Sequence, residues 1–117
     1  MIMPKFVTIG YGDRTRYERT PPEIRDAAHT HDKELRERGV LRGVAGDPLQ
    51  VSNPGSAGVQ TVSSLFMSSP LPVAGFAVIE AADLSDAVNM VSRSSCCDGV
   101  VEVWPLGQAQ YWQPLRQ

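Results

Sequence analysis

Residues 74–104 read AGFAVIEAADLSDAVNMVSRSSCCDGVVEVW, and this stretch decides the fold class. From Ala74 to Ala81 the chain is rich in Phe76, Val78 and Ile79, side chains that pack well on a pleated surface, so a strand is predicted. Asp83 then offers a carboxylate to the orphan amides of a first helical turn. Behind it Leu84, Ala87, Val88 and Val91 recur at helical spacing and predict an apolar stripe. Gly99 restarts the chain, and Val100 to Trp104 predict a last strand closed by Pro105, which has no amide to extend a ladder.

Working outward, Lys5 to Ile9 predicts a first strand that stops at Gly10 and Gly12. Asp13 to Arg19 is mostly charged and without period, which reads as a loop or irregular turn. Thr20-Pro21-Pro22-Glu23 predicts a helix start: the threonine caps, the glutamate returns the bond, and proline fits the first turn. Ile24, Ala27, Ala28, His31 and Leu35 then follow at helical spacing, and Gly39 supplies a left-handed end. Helix one is expected from about Pro21 to Arg38.

Val40 to Val51, broken by Gly43, Gly46 and Pro48, predicts only an interrupted strand at a sheet edge. Ser52-Asn53-Pro54-Gly55-Ser56 is a turn cluster, Val59 to Met67 is strand-like, and Ser68 to Pro72 breaks it. Strand, helix, several strands, helix, strand is an α+β order. It predicts the ferredoxin-like plan, an antiparallel sheet with two helices on one face. The other face would expose Phe76, Val78 and Val103, and burial against a second copy makes a homodimer the expected state.

The 117 residues suit one domain, expected over residues 1–106 with a polar tail, 107–117, that is disordered or docks through Tyr111, Trp112 and Leu115. A net charge of −2 leaves no basic footprint for phosphates, so no nucleic-acid partner is expected. No apolar run reaches the roughly 20 residues of a bilayer span, and MIMPKFVTIG turns polar too soon for a signal peptide. No membrane association and a cytoplasmic location are expected. Cys96 and Cys97 are adjacent and point apart, which favours two reduced thiols near a helix end. With His29 and His31 as the only histidines, no zinc ligand set is complete and no metal is expected. The glycines at 43, 46, 55 and 58 are followed by no phosphate-loop lysine, and serines 63, 64, 68 and 69 form no nucleophile elbow, so no cofactor is implied.

Three blocks, Ala74-Gly75-Phe76-Ala77-Val78-Ile79-Glu80-Ala81, Asp83-Leu84-Ser85-Asp86-Ala87 and Val101-Glu102-Val103-Trp104-Pro105-Leu106, resemble the YCII-related proteins, in the branch named for a DGPF motif. Lys5-Phe6-Val7 to Tyr11-Gly12-Asp13 and Glu34-Leu35-Arg36-Glu37-Arg38-Gly39-Val40-Leu41 agree more loosely. The likeness runs over roughly residues 5 to 106. The DGPF segment itself would fall at Ser68-Ser69-Pro70-Leu71, where only the proline survives, and Trp104 stands where the closing block usually has arginine. The resemblance implies a dimeric α/β barrel with a small-molecule site between helix one and the sheet. It also implies a helix-one histidine about three turns before the terminal glycine, a spacing that fits His29 better than His31, and a ligand-facing loop at Asp47.

From the residues themselves, His31 shares the stripe with Ile24, Ala27, Ala28 and Leu35. It is expected to border a cleft as a general base, or else to be a packed, hydrogen-bonded core histidine. Asp32 flanks it as a group that orients an imidazole or polarises a ligand, although neighbours on a helix diverge. His29 lies off the stripe, and a solvated role is expected for it. Asp47, in Gly46-Asp47-Pro48, is explained equally by turn formation. Tyr11, Tyr17, Trp104 and Trp112 line an aromatic cavity or pack in core and interface. Two functions follow: a small-molecule-binding homodimer, as a metal- and cofactor-free enzyme moving a proton through a helix-one histidine, or a non-catalytic binding or interaction dimer of the same fold.

Overall fold

A computed structural model describes residues 3–93 and 99–107. The expectations for Cys96, Cys97 and the aromatic tail fall outside these residues. The elements are β1 (Lys5–Tyr11), α1 (Arg14–Arg19), α2 (Pro22–Glu37), β2 (Leu41–Val44), β3 (Gln50–Ser52), a 3-10 turn (Pro54–Ser56), β4 (Gln60–Val62), β5 (Val73–Glu80), α3 (Leu84–Ser92) and β6 (Val100–Pro105). The class is α+β, with one antiparallel four-stranded sheet in the order β2-β5-β1-β6 and a separate β3–β4 hairpin. Within the chain the sheet is open, with β2 and β6 as its edges, and does not close into a barrel.

Strand alternation sorts the sheet into two faces. Phe6, Thr8 and Gly10 stand opposite Ile79, Ala77 and Gly75, and Thr8 and Gly10 also stand opposite Val103 and Val101. Phe6 and Ile79 are buried with Ala81, Ala87 and Val91, and Ala77, Val101 and Val103 pack against them. Val103 therefore belongs to the helix-covered face, which corrects its expected place on the open one. Phe76 and Val78, opposite Ile9 and Val7, do lie on the open face. Leu41 and Trp104 extend it on the edge strands. Gly75 is required by close packing: a Cβ there would sit 2.6 Å from the Gly43 carbonyl oxygen of β2.

There are three α-helices among the described residues, not two. Arg14–Arg19 forms because Asp13 accepts a 2.7 Å hydrogen bond from the Arg16 amide, and Arg14 and Glu18 pair one turn apart at 3.6 Å. No residue of α1 is buried, so it leaves no apolar period. Thr20 closes α1 instead of opening α2, its hydroxyl donating to the Arg16 carbonyl at 2.9 Å. The N-cap of α2 is Pro21, without a side-chain cap bond. That helix buries Ala28, His31 and Leu35. Ile24 and Ala27 remain exposed, so the real stripe is narrower than the expected one. In α3, Asp83 accepts from the Asp86 amide and Asp86 from the Ala82 amide, a reciprocal cap. Ala87 and Val91 are buried, whereas Leu84 and Val88 are half exposed.

Residues 45–72 leave the sheet at the end of β2 and return to β5. The predicted strand from Val59 to Met67 shrinks to Gln60–Val62, and the hairpin holds only three residue pairs. Gly55 and Ser56 take left-handed backbone at its turn, and Asn53 accepts from the Gly58 amide. Leu71 is buried and anchors the return.

Candidate functional site

A cleft of about 530 Å³ opens on the helix-covered side of the sheet. Its floor is made by Thr8, Gly10, Gly75 and Ala77, side chains too small to fill the space. Tyr17 of α1, His29 and Arg36 of α2, and Arg42 of β2 stand around it. Arg42 reaches this side because it pairs with Ala77, which faces the helices. Its guanidinium donates to Asp32 Oδ1 at 2.6 Å, tying β2 to α2.

His29 and Tyr17 form the polar feature of the wall. His29 Nε2 and the Tyr17 hydroxyl are 2.7 Å apart, with ring centroids 5.8 Å apart in an edge-on arrangement. The Arg25 guanidinium lies 5.1 Å from the Tyr17 centroid, within cation–π reach. Arg25 Nε is buried without a hydrogen-bond partner. The pair links α1 to α2 and sets the imidazole at the cleft.

His31 is placed differently from expectation. It is 5% exposed and does not line the cleft. Its Nε2 lies 2.7 Å from the Met90 carbonyl oxygen. A carbonyl only accepts, so Nε2 carries the proton and donates. Nδ1 is buried with no hydrogen-bond partner, the Glu34 carboxylate standing 4.0 Å away. Ala28, one turn earlier, is buried on the same face as His31. This is the alternative reading of a packed core histidine. His29, two residues earlier and about 200° around the helix, faces α1 instead.

Tyr11 meets the cleft only at its rim, because its side chain turns to the open face, where its hydroxyl donates to Glu102 Oε1 at 2.6 Å. That bond raises the Tyr11 pKa above the ordinary phenol value of 10.0, with smaller contributions from desolvation and the Glu102 charge. Trp104 Nε1 approaches the same oxygen at 3.4 Å. Asp47 is exposed at the start of the hairpin segment and does not line the cleft. Of the expected site residues, then, His29 stands in the cleft wall, Tyr11 touches its rim, Asp32 borders it through Arg42, and His31 and Asp47 stand apart. Arg36 and Arg42 were not singled out in the sequence. Arg42 had a usable signal, a charged residue at an inward-facing strand position.

Among the described residues no group of three or more His, Cys, Asp or Glu side chains is placed to hold a metal ion. No helix there is long and apolar enough to cross a membrane. Compared with models of protein families and with curated protein sequences, the chain has no match to either.

Proposed function

We propose that the protein is a cytoplasmic homodimer of ferredoxin-like fold that binds a small organic molecule in the cleft and transfers a proton through His29, without metal or cofactor. The observation that carries this reading is the Tyr17–His29 pair on the wall of a cleft floored by small residues. A volume of about 530 Å³ falls within the usual range of small-molecule sites. An imidazole suits proton transfer near neutral pH, and the Tyr17 hydroxyl holds this one by its outer nitrogen.

The strand order β2-β5-β1-β6, with α2 and α3 as the crossovers, supports the ferredoxin-like part of the reading. The open face carrying Val7, Ile9, Phe76 and Val78 supports the dimer, in which a second copy would cover that face. The blocks from Ala74 to Leu106 support kinship with the YCII-related proteins. The alternative is a binding dimer without turnover. It is favoured by one observation, that His29 Nε2 is already engaged by Tyr17.

Thermal shift against a panel of small organic acids, phenols and enols tests the site, because a ligand of the native state raises the melting temperature by mass action. A hit is expected to stabilise the wild type and His31→Ala but not His29→Ala. A hit that stabilises His29→Ala equally removes His29 from the site. Turnover of that hit by the wild type, absent in His29→Ala, separates the enzyme from the binding dimer.

A further inference from the structure

We infer that residues 45–72 are an arm that clasps a second copy of this chain, seating Phe66 and Met67 on that copy's open sheet face. The inference rests on the dimer proposed above and adds the segment that would hold it. Its starting point is an imbalance. Phe66 is 87% exposed and Met67 72% exposed, and Leu49, Val51, Val59, Val62 and Leu65 are each more than half exposed. An isolated two-stranded hairpin is marginal in water, and this one has only three residue pairs. Clustered exposed apolar side chains of this kind mark a surface that meets another.

The chemistry of the arm says what kind of surface that is. Asp47 is its only charged residue. A charged or nucleic-acid partner would leave these uncharged side chains without counterparts, whereas the centre of a protein interface is depleted of charge. An uncharged apolar surface of this description exists on the same molecule. Val7, Ile9, Phe76 and Val78 form the centre of the open face. The charges at its margin are already engaged within the chain, Lys5 with Glu80 and Glu102 with Tyr11. The arm also starts where that face ends: Ala45 donates to Ala74 and Gly12 to Pro72 at the two roots.

Symmetry then favours a second copy over a foreign partner. In a two-fold pair, arm on face and face on arm are satisfied together, and the contact closes without free ends. The side chains buried would be the arm's apolar residues from both copies, and loss of a large apolar anchor from such a contact weakens it by at least tenfold.

The experiment combines sedimentation with cross-linking on the full-length chain. Wild type is expected to sediment as a dimer at micromolar concentration, and Phe66→Ser with Met67→Ser to raise the dimer dissociation constant at least tenfold. Both side chains are exposed within the chain, so circular dichroism should be unchanged. A photo-cross-linking amino acid at position 66, in mixed light and heavy isotope-labelled chains, is expected to join light to heavy at peptides containing Leu41, Phe76 or Val78. Cross-links confined to one chain, or a dissociation constant changed less than twofold in the double variant, overturn the arm and leave the dimer standing. A wild type that sediments as a monomer overturns both.

Discussion

The sheet with its helices and the 45–72 arm use similar apolar residues and put them to opposite use. In the first, Phe6 and Ile79 disappear beneath Ala87 and Val91. In the second, Val51, Val59 and Val62 stay in water beside Phe66. The difference is one of layers: a sheet buries apolar side chains only when a second layer covers it, and the arm has none within its own chain. Apolar content by itself does not make a core.

The largest effect expected from breaking this contrast is at Ile79, which is 1% exposed. Ile79→Ala should cost about 2–5 kcal/mol through lost transfer energy and a cavity. Val59→Ala in the arm should stay within about 0.5 kcal/mol when both are measured by urea unfolding of the dissociated chain. Similar losses at the two positions would mean that the arm has a core of its own. A smaller effect is expected at the junction. Gly75→Ala brings a methyl against the Gly43 carbonyl oxygen and should cost about 1–3 kcal/mol, because backbone must move. Amide exchange should quicken in β2, at the root of the arm, and remain slow in β6.

The smallest effect is pH-dependent. The Tyr11 pKa is raised in the folded state, so its hydrogen bond to Glu102 contributes stability that is complete below the unfolded phenol value of 10.0 and is lost as pH climbs through the raised one. Tyr11→Phe should therefore lose about 1 kcal/mol near neutral pH and fall less steeply than wild type above pH 10.0. Parallel stability curves for the two proteins across that range would dismiss the bond as a contributor.

What could be read from the sequence follows the same division into covered and uncovered parts. β1, β5, β6, α2 and α3 advertise themselves because each must bury one face, and burial imposes a period of two or of nearly four residues. Helix α1 buries nothing, so only its Asp13 cap and the Arg14–Glu18 spacing could have disclosed it. The same silence reaches the site: without α1 no Tyr17 stands beside His29, and helical phase points to His31 alone. Phase correctly put His31 inside; what it could not supply was the identity of the neighbour, which is the backbone of α3. The arm hides for a related reason, since the apolar residues along Val59 to Met67 look strand-like whether or not a sheet is there to receive them.

The bond from His31 to Met90 also has a consequence for the timing of assembly. Met90 lies in the last turn of α3, where carbonyl groups run out of helical donors, and the donor it finds is 59 residues away in the chain. During synthesis α2 is complete long before α3 exists, so its imbedded imbalance is temporal: a histidine on an otherwise apolar stripe waits, hydrated, for a helix not yet made. Only when β5 has brought α3 over the sheet can the imidazole shed its water and finish that last turn. At nine residues α3 is too short to hold its shape alone, so the helix and its seam with α2 form together.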